Sequence, residues 1–189
     1  MLQVGFGMSP FQSGMVTFAT ALGAMGMKWA TATILRRFGF RTILVSNALI
    51  SAAFLAVCAG FTQTTPVAIM VVLLLVGGFF RSLQFTSINT IAYADVEPAR
   101  VSRATALVSV AQQLAVSTGV ALGALVVELT VQFKGNGPLQ ASDFPPAFLA
   151  IAAISALSAL IFVRLSPDAG AEMANRVPAP TETSDQRIG

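Results

Sequence analysis

Apolar residues run along this chain in five long stretches separated by short polar intervals. Each stretch is long enough to form a helix that crosses a hydrocarbon layer about 30 Å thick. The first covers residues 11–35. Within it Ser13, Thr17, Thr20, Ala24, Lys28 and Thr31 recur at steps of three or four, which puts small and polar groups on one stripe. That stripe is expected to face protein or water rather than lipid. A basic turn, RRFGFR at residues 36–41, leads into a second stretch at 42–61, polar only at Ser46, Asn47 and Ser51. A third, 66–93, opens on Pro66, a favoured first helical position, and carries the run IMVVLLLV before turning polar beyond Gly78. The fourth covers 102–131 and the fifth 146–163. The pattern predicts an all-α polytopic membrane protein with five transmembrane helices within residues 1–165.

Residues 166–189 break the pattern. They are rich in Pro, Ala, Glu, Ser and Thr and hold too few apolar groups to offset the cost of chain ordering, so a disordered tail is expected there. The first ten residues, MLQVGFGMSP, lack the basic and apolar regions of a secretory signal. Insertion is therefore expected to rest on the spans themselves, with further spans preceding them.

Composition excludes several classes. With 55% hydrophobic and 10% charged residues the chain does not read as a soluble domain. The net charge of +3 comes from basic residues scattered singly at the ends of apolar runs, so nucleic acid is not an expected partner; lipid is. There is no histidine and one cysteine, Cys58, which rules out an internal disulfide and histidine-based metal sites. No cofactor or metal is expected. No nucleophile, acid and base constellation stands out, so the chain is not read as an enzyme. Arg36, Arg37, Arg41, Arg100, Arg103 and Arg164 lie at one set of helix ends and only Lys134 at the other. Basic loops stay cytoplasmic, which places the tail in the cytoplasm and the first residues outside, in a plasma (inner) membrane.

The helix ending in ILRRFGFRTIL, followed by the paired segments GGFFRSLQFTSIN and ATALVSVAQQLAVSTGVALGA, resembles the major facilitator superfamily, most closely its fourteen-span drug:proton antiporter branch. The resemblance covers residues 5–165. It implies that the five helices are the last five spans of the carboxy-terminal six-helix bundle, with an amino-terminal transmembrane half missing from this chain. It also implies efflux of small hydrophobic or cationic compounds by alternating access, with protons as the coupling ion by resemblance only. A cytoplasmic loop motif of that family is matched in degenerate form at Arg37, Gly39 and Arg41; Arg36 stands where the acidic residue belongs.

The residues able to meet a substrate are Arg81, Gln84, Asn89, Ser109, Gln112 and Gln113, on two consecutive helices, with Lys28 on the first. A charge within a span is by default a functional hypothesis. Arg81 and Lys28 could instead be packing residues that snorkel to the cytoplasmic interface. On the fourth helix Ala111, Ala115, Gly119 and Gly123 form a small-residue ladder suited to helix packing. Two other readings use the same residues: a truncated remnant or small structural membrane subunit joined through that ladder, and a facilitator of another small solute.

Overall fold

The computed structural model describes residues 1–94, 96–135, 137–166 and 169–170, and over these the chain is helical with no strands. Helix α1 spans Pro10–Phe38, α2 Phe40–Ala59, α3 Val67–Ala92, α4 Val101–Phe133 and α5 Pro145–Val163. Single 3₁₀ turns, Pro98–Arg100 and Ala141–Asp143, lead into α4 and α5.

Local chemistry sets these ends. Ser9 caps α1: its hydroxyl accepts from the Gln12 N–H at 3.2 Å, and the Gln12 side chain accepts from the Ser9 N–H at 3.1 Å. Two donors that would otherwise be unpaired are satisfied reciprocally. At the other end Gly39 adopts φ 77 and ψ 161, a conformation almost confined to glycine, and α2 starts at the next residue.

Five spans are expected from the sequence, whereas four helical stretches are long and apolar enough to cross a membrane: Phe40–Ala59, Val67–Ala92, Pro98–Phe133 and Ala141–Val163. Helix α1 is long enough, at about 43 Å. Its glycines, hydroxyl residues and Lys28 dilute the apolar content that the criterion requires.

The helices pack in the sequence α1 on α3, α3 on α2, α2 on α5 and α5 on α4, which makes an open arc with α1 and α4 at its ends. Small residues bring α1 and α3 into backbone contact. A Cβ on Gly23 would overlap the Leu75 carbonyl and stand 3.0 Å from the Phe79 nitrogen; a Cβ on Gly78 would stand 2.8 Å from Thr20 Cα. Met27, Leu35, Phe40, Ile43 and Leu83 form a buried cluster where α1, α2 and α3 meet. The buried face of α1 is Ser13, Val16, Ala19, Gly23, Met27, Thr31 and Leu35. The stripe expected to face protein or water therefore only partly coincides with it: Thr17 and Lys28 are exposed on the bundle. Contact is made by the residues that let backbones approach, and a hydroxyl that can bond its own helix has no need of that face. Thr17 does so, to the Ser13 carbonyl at 2.9 Å.

Helix α4 is the exception, since none of its residues is buried. The expected tail falls largely outside the described residues. Of its start, the Ala169 N–H donates to the Ser166 carbonyl at 3.1 Å, and Gly170 lies against the Phe40 ring.

The loop between α4 and α5 is held by charge. The Lys134 ammonium pairs with Asp143 and donates to the Ser142 hydroxyl at 2.9 Å, and the Asp143 carboxylate accepts from the Gln140 N–H at 2.8 Å. The bond from Lys134, then that from the Gln140 backbone, holds the Asp143 carboxyl below its ordinary value of 3.8. A depressed carboxyl contributes stability above its unfolded value and loses it as pH falls through the folded one. The loop is thus expected to stay closed from neutral pH down to about pH 4 and to loosen only below that. Hydrogen exchange at the Gln140 amide reads this directly. Asp143→Asn should speed that exchange at pH 7, and an unchanged rate would show that the carboxylate does not hold the turn.

Candidate functional site

The polar groups of α2, α3 and α4 meet in two places. The first is between α2 and α3, where the Asn47 side chain, 1% exposed, donates to the Phe80 carbonyl at 2.7 Å and to Gln84 Oε1 at 2.9 Å. An apolar helix buries an asparagine only where its amide finds partners, and here a carbonyl and an amide one turn apart on α3 supply both. Asn47 Oδ1 and the Ser87 hydroxyl, both buried, have no hydrogen-bond partner among the described residues. Gln84 is therefore tied into helix packing.

The second place joins α3 to α4. Asn89 donates to the Phe85 carbonyl at 2.7 Å and accepts from Gln112 Nε2 at 2.6 Å. The two helices otherwise barely touch. Ser109 and Gln113, on α4, are exposed and make no side-chain bond among the described residues. Of the expected set, the structure pairs Asn89 with Gln112 and sends Gln84 to α2.

The two span cations lie on α1 and α3, which pack together. The Ser82 hydroxyl donates to the Ala24 carbonyl at 3.1 Å, which sets α1 against α3 at this level. Arg81 adjoins Ser82, and Lys28 follows Ala24 by about one turn. Both are exposed, and neither has an ion-pair or hydrogen-bond partner among the described residues. Arg81 lies about 16 Å before the end of α3 at Ala92, and Lys28 about 15 Å before the end of α1 at Phe38.

Around the loop motif, Arg37 stacks its guanidinium on Phe38, 5.6 Å from the ring centroid, and the Gly39 N–H donates to the Leu35 carbonyl at 2.9 Å. Arg41 follows in the first turn of α2. The ladder on α4 has Ala111 and Ala115 exposed, and a Cβ on Gly119 or Gly123 would meet nothing within 4 Å. Beside it lies a cavity of about 660 Å³ between α4 and α5, lined by Leu55, Gly119, Gly123, Glu128 and Phe148 among others. No group of three or more metal-ligating side chains occurs among the described residues.

Sequence reasoning passed over Asn47, Ser82 and Asp143. A lone amide in an apolar run was the available signal for Asn47. Nothing local marks Ser82, whose partner is fixed only when Gly23 and Gly78 bring α1 onto α3.

The chain matches the family model of the Major Facilitator Superfamily over residues 1–185. It is 34% identical over 177 residues to the provisionally named multidrug resistance protein MdtD of Yersinia pestis (strain Pestoides F), covering 90% of this chain and 37% of that protein. The MdtD of Yersinia pseudotuberculosis serotype O:1b (strain IP 31758) is similar to the same extent, at 34% identity over 90% of this chain and 37% of its own length. The chain thus spans little more than a third of the length of these relatives. No solved structure matches it. The family consists of transporters rather than enzymes, and with its apolar helices the chain is a multi-pass membrane protein. By the match along nearly its whole length, the chain belongs to the major facilitator superfamily.

Proposed function

We propose that this chain is most of the carboxy-terminal bundle of a secondary active transporter that exports small hydrophobic or cationic compounds by alternating access, driven by protons. The family match over residues 1–185 carries the reading, and the name of the MdtD relatives supports efflux. In it all five helices span the plasma membrane, α1 included, because a helix with polar groups is tolerated where it lines protein or water. The basic α1–α2 turn and the carboxy terminus are cytoplasmic. The amino-terminal transmembrane half of the polypeptide is the missing partner, and a helix from it covers α4. The exposed Ala111 and Ala115 of the small-residue ladder and the adjoining cavity support that: elsewhere in the bundle such residues are where helices touch. The Asn89–Gln112 pair, Ser109, Gln113, Arg81 and Lys28 then border the pathway, while Gln84 holds α3 to α2.

Antibody against residues 171–189 tests the size of the polypeptide. A denatured band far above 19.6 kDa in source-cell membranes is expected, and a band at that mass would overturn the two-bundle reading. With the polypeptide so detected, purified and placed in vesicles, an imposed pH gradient should drive dye movement above that of empty vesicles. The 189-residue chain alone should give none, since five helices cannot enclose a pathway that opens to alternate sides. Dye movement indifferent to the gradient would remove proton coupling.

A further inference from the structure

Helices α1 and α4 carry the same pattern. ALGAM at 21–25 recurs as ALGAL at 121–125, with Val16 matched by Val116, Thr17 by Ser117 and Ala19 by Gly119. On α1 this segment is where another helix rests. Gly23 lies against the Leu75 carbonyl, Thr20 against Gly78, and Ala24 accepts from Ser82. The contacts ascend together on both helices, so α1 and α3 run the same way. On α4 the matching Gly123 has nothing within 4 Å of where a Cβ would stand, and it opens on the cavity of about 660 Å³.

The second wall is matched too. Helix α3 rests on α2 as well as on α1, with Gly77 near the Phe54 ring and Asn47 bonded to the Phe80 carbonyl. The cavity is walled by α5, through Phe148 and Ile151, as well as by α4. In each case the second wall is the long helix that follows the first in sequence. Glu128 is the one charged residue in the lining, which otherwise offers apolar side chains and glycines against which a backbone can lie.

The chain itself leads to this place. The Gln63 side chain donates to the Gly5 carbonyl at 3.0 Å, and a Cβ on Gly5 would stand 3.1 Å from the Cα of Ala141, in the turn that leads into α5. Leu139 and Phe144, on either side of that turn, line the cavity. The residues ahead of α1 therefore lie at the cavity's rim. The chain spans little more than a third of its relatives' length, so further spans exist in such proteins to fill it.

We propose that the cavity is the seat of the transmembrane span directly preceding residue 1, which lies along Gly119 and Gly123 as α3 lies along Ala19 and Gly23. It runs parallel to α4. Such a span rises from the cytoplasm and ends outside, beside the first residues, and an α1 that starts outside needs a predecessor ending there. This rests on the transporter reading and says which of its missing helices covers α4.

The test uses the full-length polypeptide carrying Cys58→Ser. Val127→Cys, at a residue that lines the cavity, or Leu125→Cys, at one that does not, is combined with cysteines placed in turn along the preceding span. Oxidation in the membrane should link Val127→Cys to one face of that span, read by mass spectrometry of the joined peptides, and should link Leu125→Cys to none of it. Gly123→Leu, which fills the seat with a side chain, should abolish the link; where that variant does not fold, the contrast between positions 127 and 125 decides. A link from Val127→Cys to a different span, or between two copies of the polypeptide, would overturn the inference and leave the transporter reading standing. Failure to link at any position would overturn it as well, and maleimide labelling of Val127→Cys would then show a cavity open to lipid or water. A native polypeptide of 19.6 kDa would overturn both readings.

Discussion

Gly78→Ala is expected to separate α1 from α3, lowering the bundle's stability by about 1–3 kcal/mol or more. The added methyl would meet the Thr20 backbone, with Cα and the carbonyl carbon both at 2.8 Å. Backbone atoms within a helix cannot swing aside as the tip of a flexible side chain can. The helices would have to move apart, and the Ser82–Ala24 bond at 3.1 Å would be lost with the contact. Gly23→Ala should do the same from the other side, against Leu75 and Phe79. The controls are Gly14→Ala and Gly26→Ala on α1, where a Cβ meets nothing within 4 Å; these should stay within about 0.5 kcal/mol of the parent. Thermal unfolding of the detergent-solubilised protein, followed by loss of its gel-filtration peak, measures all four. Equal behaviour of the two pairs would mean that α1 and α3 do not touch through their glycines.

These glycines show what a sequence discloses about such a bundle. Long apolar runs announce helices because no other open structure satisfies the backbone in lipid, and a composition of 55% hydrophobic residues leaves little else to build. Which face of a helix is covered is a different matter. On α1 a stripe of small and polar residues was visible, yet burial follows Val16, Ala19, Gly23 and Met27, because closeness of approach to α3 decides it. On α4 a ladder of the same kind is equally visible, but Ala111 and Ala115 are exposed, and Gly119 and Gly123 face α5 across a cavity without close contact. Periodicity reveals that a face is special without naming its partner.

Polar residues divide in the same way. Asn89 and Gln112 stood out as amides on consecutive helices, and they bond at 2.6 Å. Gln84 stood out equally but turns to Asn47, a pairing set by how α2 crosses α3. The depth of Arg81 depends on where α3 stops. Its helical residues continue to Ala92, within a residue of the end that the sequence predicts, which leaves Arg81 about 16 Å from the end of the helix.

The junction of α1 and α2 yields the other large effect, because one ring there closes three helices. Phe40 is 1% exposed and packs with Met27 and Leu35 of α1, Ile43 of α2 and Leu83 of α3. Its place is dictated by Gly39, whose φ of 77 turns the chain so that the first residue of α2 points back into the cluster. Phe40→Ala is expected to cost about 3–5 kcal/mol, the range for emptying a buried aromatic site whose neighbours relax only partly. Phe40→Leu, which keeps most of the volume, should recover more than half of that. Thermal unfolding again provides the measurement, and an alanine variant as stable as the parent would show that the cluster does not hold the junction. The flanking Arg37, Gly39 and Arg41 resemble a cytoplasmic loop motif whose acidic member is here Arg36. A turn without that acid can still position α1 against α2 through its glycine and the ring that follows. Phe40→Ala should therefore weaken transport by the full-length polypeptide in step with stability, while Arg41→Gln, which leaves the cluster intact, should change stability by no more than about 0.5 kcal/mol.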